Sequence, residues 1–250
     1  MKLDLGRATM KIVDRYGLEV RSGPFAGMTY PQDTLGRASA LGAKLLGTYE
    51  QELAPTIEKL IRERFQTILN IGSGEGYYAV GFALRSPESL IRAYESDGWQ
   101  RRLCARVASV NGVAGRVVIE GACRPERLDD DALGRVLILC DCEGCELDLL
   151  QPDRHPLLQT ATLLVELHDS VEPTTTSRIL RRFARTHDAE IVSAEQRDPE
   201  RYEELAGIPE GEAHMVLWER AAGSWGLLRP RVDLRHEGNP KVHPRGASPA

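Results

Sequence analysis

The most constraining stretch is Thr67-Ile-Leu-Asn-Ile-Gly-Ser-Gly-Glu-Gly-Tyr-Tyr-Ala-Val-Gly-Phe-Ala83, where a short β-rich apolar run ends at Ile71 and glycines follow at 72, 74 and 76. Small and apolar residues then continue with helical spacing. A strand, a tight turn and a helix follow from that pattern. Glycines at these positions let the backbone adopt positive φ and approach a ligand without a Cβ in the way, and the turn aims the first amides of the next helix at whatever binds there. A nicotinamide fingerprint G-x-G-x-x-G requires glycine at 77, but Tyr77 stands there and the spacing is G-x-G-x-G.

The chain after this turn alternates in type. A helix to about Leu84, a strand Ser89 to Glu95, a helix Trp99 to Asn111 and a strand Arg116 to Glu120 are expected, then a loop and weak helix through Leu133. Val136-Leu-Ile-Leu-Cys140 and Ala161-Thr-Leu-Leu-Val-Glu-Leu167 are continuous apolar runs, as in strands buried on both faces. Helices over Glu146 to Gln159 and Arg178 to Thr186, a strand Glu190 to Ala194 and a last strand His214 to Trp218 complete the expected core. Upstream, a helix in residues 2 to 16, a short strand at Leu18 to Arg21, a loop with a short helix over 31 to 48, and a helix from Tyr49 to Phe65 are expected, the last with Pro55 in its first turn. The fold class is therefore α/β, with about seven mostly parallel strands flanked by helices. The expected divisions are an N-terminal extension (1–64), a ligand-binding core (65–220) and a flexible, Pro/Gly-rich tail (221–250).

Composition limits the partners. A net charge of −5 with 28% charged residues disfavours generic nucleic-acid binding, and Arg178, Arg181, Arg182 and Arg185 are expected on a solvated helix face. No apolar run approaches the roughly 20 residues that span a bilayer. The N-terminus carries an early acid and lacks the apolar core of an export signal, so a cytoplasmic protein is expected, with its five cysteines as reduced thiols. Cys140, Cys142 and Cys145 form C-x-C-x-x-C, which lacks the partners of a zinc site.

Open α/β sheets bind ligands at the carboxyl ends of their strands, and chemistry-bearing residues gather there. Glu95, about 20 residues past the turn, is placed to accept hydrogen bonds from ribose hydroxyls, with Asp97 as the alternative. Gly121 and Ala122, after the third strand, are candidates for a flat wall beneath an adenine ring. Asp141, Glu143 and Glu146 end the central apolar strand, and Glu166 and His168 fall on one side of the next.

Asn70-Ile-Gly-Ser-Gly-Glu-Gly-Tyr-Tyr78, Asp141-Cys-Glu-Gly-Cys-Glu146 and Val165-Glu-Leu-His168 together resemble the FkbM-type class I S-adenosylmethionine (SAM) methyltransferases over roughly residues 20 to 220. The second stretch looks like that family's D-x-E-G-x-E signature, and Lys44-Leu-Leu-Gly-Thr-Tyr-Glu50 resembles a pre-core segment of a subgroup. The resemblance implies a Rossmann-like sheet, SAM as cofactor, and methyl transfer to oxygen, often a sugar hydroxyl of a glycan or glycosylated natural product. It assigns Asn70, Gly72, Ser73, Gly74, Glu75, Gly76, Tyr77, Glu95, Ser96, Gly121, Ala122 and Asp141 to the cofactor. His168, Glu143, Asp141 and Glu166 are the catalytic candidates, and no metal is assigned. Cysteines at 142 and 145 depart from the family's aliphatic or small residues. Two other readings stand beside this one. In the first, Asp141, Glu143, Glu166 and His168 hold a divalent metal for metal-assisted O-methyl transfer. In the second, a non-catalytic protein binds SAM or serves as a scaffold. A small-molecule or glycan acceptor is the expected partner, without membrane or nucleic acid, and a homo-oligomer is compatible with the sequence.

Overall fold

The computed structural model describes residues 5–130, 134–219 and 223–231. Seven strands form one sheet: β1 (Thr67–Ile71), β2 (Leu90–Tyr94), β3 (Val117–Glu120), β4 (Val136–Cys140), β5 (Thr162–Leu167), β6 (His187–Val192) and β7 (Ser224–Pro230), in the order β3-β2-β1-β4-β5-β7-β6. The five strands from β3 to β5 run parallel, and β7 is antiparallel to both neighbours. Nine helices among the described residues surround it: α1 (Leu5–Tyr16), α2 (Leu41–Leu46), α3 (Ala54–Arg62), α4 (Tyr77–Arg85), α5 (Gly98–Val110), α6 (Arg127–Asp130), α7 (Glu146–Leu149), α8 (Thr175–Phe183) and α9 (Glu210–Val216). This is the α/β fold expected from the alternation of elements, a seven-stranded, mostly parallel sheet flanked by helices.

The sheet is buried on both faces because its central strands are apolar at every other residue in both senses. Ile68, Leu137, Leu139, Leu164, Trp225 and Leu227 pack on one side against α1 to α5 and α9, within a cluster that includes Ile12, Leu45, Ile57, Val80 and Val107. Leu69, Ile71, Ile138, Leu163, Val165 and Leu228 pack on the other, against Leu147 of α7 and Ile179 and Phe183 of α8. The N-terminal segment therefore shares the main core, with Ala8 and Ile12 of α1 fully buried. Among the described residues no helix is long and apolar enough to cross a membrane.

Several expectations are corrected. His214–Trp218 is not a strand but lies in and after α9, whose acids Glu210 and Glu212 open the first turn after Pro209. Ala213 and Val216, three residues apart, face the core, and Glu212 pairs with Lys11 of α1. The missing strand is β7, inside the stretch assigned to a flexible tail: residues 224–230 are bonded on both sides, to β5 and β6. Residues 221–222 and 232–250 of that expected tail lie outside the described residues. The helix expected over Glu146–Gln159 stops at Leu149, and Pro156 opens only a single tight turn to Gln159. The strand expected at Leu18–Arg21 reduces to one antiparallel bridge, Glu19 to Thr29.

The cysteines are also corrected. Cys142 and Cys145 form a disulfide, with Cα atoms 5.5 Å apart, while Cys104, Cys123 and Cys140 keep their thiols. The reason is local: Glu143 and Gly144 between them adopt φ of 55° and 110°, turning the chain back on itself so the two sulfurs meet.

Candidate active site

The site is built at the carboxyl edge of the parallel strands. Gly72 takes φ 78°, and its amide and that of Ser73 donate to Tyr94 O at 2.9 and 3.0 Å, pinning the turn to the end of β2. Asp141 N donates to Ile71 O at 2.9 Å, which brings the end of β4 against the same turn. A Cβ at Gly72 would lie 1.5 Å from Asp141 O, so only glycine fits. Gly76 has a different task. Its Cβ would meet Cys104 Sγ at 2.9 Å, so its absence sets the close packing of α4 on α5.

Glu95, just past β2, accepts from Gly74 N through Oε2 and from Asp97 N through Oε1, both at 2.8 Å. It is thereby held at the lip of the glycine turn. Asp97, expected as the alternative to Glu95, caps α5, accepting from Gln100 N at 3.0 Å and Trp99 N at 2.6 Å, and these bonds hold its carboxyl below the usual range.

A cavity of about 1530 Å³ opens along this edge. Single-ligand pockets span about 300–1,000 Å³, so there is room here for two small molecules together. Gly72, Gly74, Glu75, Glu95, Ser96 and Ala122 line it at the glycine turn, and Asp141, Glu143, Glu166 and His168 stand on the same cavity further along the edge. Asn70, Ser73, Gly76, Tyr77 and Gly121 do not form the wall. Asn70 is buried within β1, and Tyr77 meets Phe25 and Tyr49 edge-on at 5.2 and 5.3 Å, so their part is to support the turn from behind. Glu75 touches the cavity, yet its carboxylate is buried in an ion pair with Lys44 of α2.

The second half of the site is a carboxylate cluster around one imidazole. His168, buried just beyond β5, hydrogen-bonds through Nδ1 to Glu146 Oε1 at 2.8 Å. Its Nε2 lies 3.3 Å from Glu166 Oε2, 3.7 Å from Asp141 Oδ1 and 3.8 Å from Glu143 Oε2. Burial works against a charged ring, but the bonds to Glu146 and Glu166 outweigh it and push His168 up to about 10. Burial would likewise raise Glu146 and Glu166, yet the His168 contact holds both below the usual carboxylate range. Asp141 goes the other way, pushed well up by burial and then by the neighbouring Glu166 charge.

Some of this was not signalled in the sequence. Glu146 closes the D-x-E-G-x-E pattern, but its burial and its grip on His168 are visible only once α7 is placed. Glu50 and Glu219 also line the cavity, and burial raises them to about 8 and about 7. Tyr78 OH donates to Glu50, and Arg197 reaches Glu52 at 2.7 Å and Glu219 at 3.2 Å. These residues lie more than 140 positions apart in places, and no local motif links them.

No family model matches the chain, and no curated protein matches it. Among solved structures it is similar to a putative O-methyltransferase from Klebsiella pneumoniae, at 13% identity and a TM-score of 0.48, covering 93% of this chain and 91% of that one. Similar too is the O-methyltransferase TomG from Streptomyces achromogenes, involved in tomaymycin synthesis and solved with SAM, at 12% identity and a TM-score of 0.47 over 92% and 91%. A third is geranyl diphosphate C-methyltransferase from Streptomyces coelicolor A3(2), solved with Mg²⁺, geranyl-S-thiolodiphosphate and S-adenosyl-L-homocysteine, at 15% identity and a TM-score of 0.49 over 90% and 92%. At such identities these likenesses concern the arrangement of sheet and helices and nothing finer.

Proposed function

We propose that the chain is a SAM-dependent methyltransferase acting on a hydroxyl group. The acceptor class we favour is a sugar hydroxyl of a glycan or glycosylated natural product, as in the FkbM-type family its motifs resemble, and the setting is the cytoplasm. One observation carries the reading: a positive-φ glycine turn with Glu95 at its lip shares a single cavity, large enough for two molecules, with a carboxylate–imidazole cluster.

The residues present fit the cofactor. The glycine turn leaves the backbone bare where a Cβ cannot stand, as at Gly72. Glu95 spends one lone pair of each oxygen on backbone amides and keeps others for two vicinal ribose hydroxyls. Ala122 offers a flat, small wall on the adenine side. When bound, SAM supplies a methyl on a sulfonium, an electrophile that needs an aligned lone pair behind it.

The protein's own work is positioning and proton handling. His168, charged at neutral pH in the metal-free cluster, does not serve as the first proton acceptor; it holds Glu166, Asp141 and Glu143 in place instead. In that metal-free state Glu166 is the carboxylate kept ionised, and it is the base assigned to the acceptor hydroxyl. Glu166 would take the acceptor hydroxyl's proton as the methyl passes from sulfur to oxygen, the S–C bond breaking while the C–O bond forms. The test is incubation with methyl-deuterated SAM and a panel of hydroxylated sugars, followed by mass spectrometry. Label on an acceptor oxygen, lost in Glu166→Gln, is the expected result. Label on nitrogen or carbon, or none on any acceptor despite bound SAM, would contradict the proposal.

A further inference from the structure

We infer that Asp141, Glu166 and His168 form a binding site for one hard divalent cation of the Mg²⁺ or Mn²⁺ type, with Glu143 as a further ligand from the loop above. The donor atoms of the first three lie within 4.8 Å of one another. Seen from Nε2, the carboxylate oxygens stand at 3.3, 3.7 and 3.8 Å. Ligands about 2.1 Å from a shared ion are separated by roughly 3.0 Å at right angles and about 3.4 Å at tetrahedral angles. The three distances from Nε2 lie within about 1 Å of these separations, so modest inward side-chain movements would close the cluster on an ion.

Acids alone would not establish a site, but two further features point to a ligand. His168 has a side chain 9% exposed, and Nε2 is aimed into the space the three carboxylates bound. Asp141 Oδ1 is buried there without a hydrogen-bond partner. The second feature is the support behind the ligands. Glu146, 1% exposed, holds Nδ1 at 2.8 Å and so turns Nε2 toward the carboxylates, an arrangement that metal-binding histidines commonly show. The same Glu146 oxygen accepts from Cys142 N and Gly144 N, both at 3.3 Å, fixing the loop that carries Asp141 and Glu143.

The donor set chooses the metal. Three carboxylates with one imidazole favour a hard cation over zinc or copper, which prefer more nitrogen and sulfur. The cation enters as the Nε2 proton leaves to solvent, so the ring binds as a neutral ligand. Because the cluster lines the cavity, positions on the ion remain open to an acceptor oxygen. That last role rests on the methyl-transfer reading, whereas cation binding itself does not.

The test is an electron paramagnetic resonance titration of the full-length protein, stripped with EDTA, using MnCl₂ and no SAM. One Mn²⁺ per chain, displaced by Mg²⁺, is expected. Asp141→Asn and Glu166→Gln should each weaken binding at least tenfold, and Glu146→Gln, which removes no ligand, about 10- to 100-fold. Circular dichroism identifies any variant that fails to fold, and the exposed Glu143→Gln, expected to weaken binding several-fold, keeps the test open if the buried variants do fail. No saturable Mn²⁺ binding to folded wild-type protein, or binding unchanged in the folded variants, would overturn the inference. A parallel SAM titration separates the two claims: SAM without Mn²⁺ leaves the methyltransferase reading standing and removes the metal, and Mn²⁺ without SAM does the reverse.

Discussion

Lys44 and Glu75 form an ion pair that only 4% and 2% of their surfaces share with solvent, and it ties α2 of the N-terminal segment to the glycine turn. Replacing Lys44 by Met keeps the bulk but strands a buried carboxylate. Breaking such a pair from one side costs about 3–5 kcal/mol, because the remaining charge has no partner. For a chain of this size about 1 kcal/mol moves the melting temperature by roughly 2–4 °C, so a drop of about 6–20 °C is expected. Glu75→Leu should cost less. The stranded ammonium still lies 4.7 Å from the Tyr49 ring centroid and 5.7 Å from that of Tyr77, and such contacts contribute about 0.5–2 kcal/mol. The double variant Lys44→Met/Glu75→Leu removes both charges and should recover most of the loss, since apolar replacement of a buried pair is often neutral. Urea unfolding followed by tryptophan fluorescence measures all four members of the cycle. Additive losses in the double variant, or a loss below about 1 kcal/mol for Lys44→Met, would refute the claim that this pair anchors the turn.

Three other outcomes are expected. Glu95→Ala should weaken SAM binding about 10- to 150-fold, the equivalent of about 1.5–3 kcal/mol for hydrogen bonds to a charged group, and calorimetry on the folded variant measures it. Glu50 holds its proton up to about 8 in the folded protein against 4.5 unfolded, chiefly through burial. The folded state therefore binds more protons in that window, and this group's contribution, complete below 4.5, is lost as pH rises through about 8. Urea unfolding between pH 5 and 8.5 should show Glu50→Gln gaining on wild type as pH rises, whereas parallel curves would remove Glu50 from the account. Thiol titration of the denatured, unreduced protein should find three thiols, Cys104, Cys123 and Cys140, rising to five after reduction; five at the outset would exclude the Cys142–Cys145 bond.

What could be read in advance follows the range of the signals. β1, the glycine turn and β4 were legible because their information is local: continuous apolar runs and a fixed glycine spacing need no distant partner. β7 was not. Its Trp225, Leu227 and Leu228 sit in a stretch punctuated by glycine and proline, and it becomes a strand because β5 and β6 supply partners on both sides. α9 is ambiguous in sequence for the converse reason, since a short apolar run suits either period until packing on α1 decides. In the site, the placement of Glu95, Asp141, Glu166 and His168 along one edge followed from the strand-end rule. The parts that set their chemistry, Glu146 behind the imidazole and Glu50 and Glu219 across the cavity, depend on burial and on contacts between distant residues. Asp97 looked equivalent to Glu95 in sequence, and only its cap on α5 separates them.

The most direct test of the central claim is calorimetric titration of the purified protein with SAM and, separately, with NAD. Saturable binding of one SAM per chain with no NAD binding is the predicted result. Failure of SAM to bind folded protein, or binding of NAD in its place, would mean that the turn at Gly72, Gly74 and Gly76 serves another ligand.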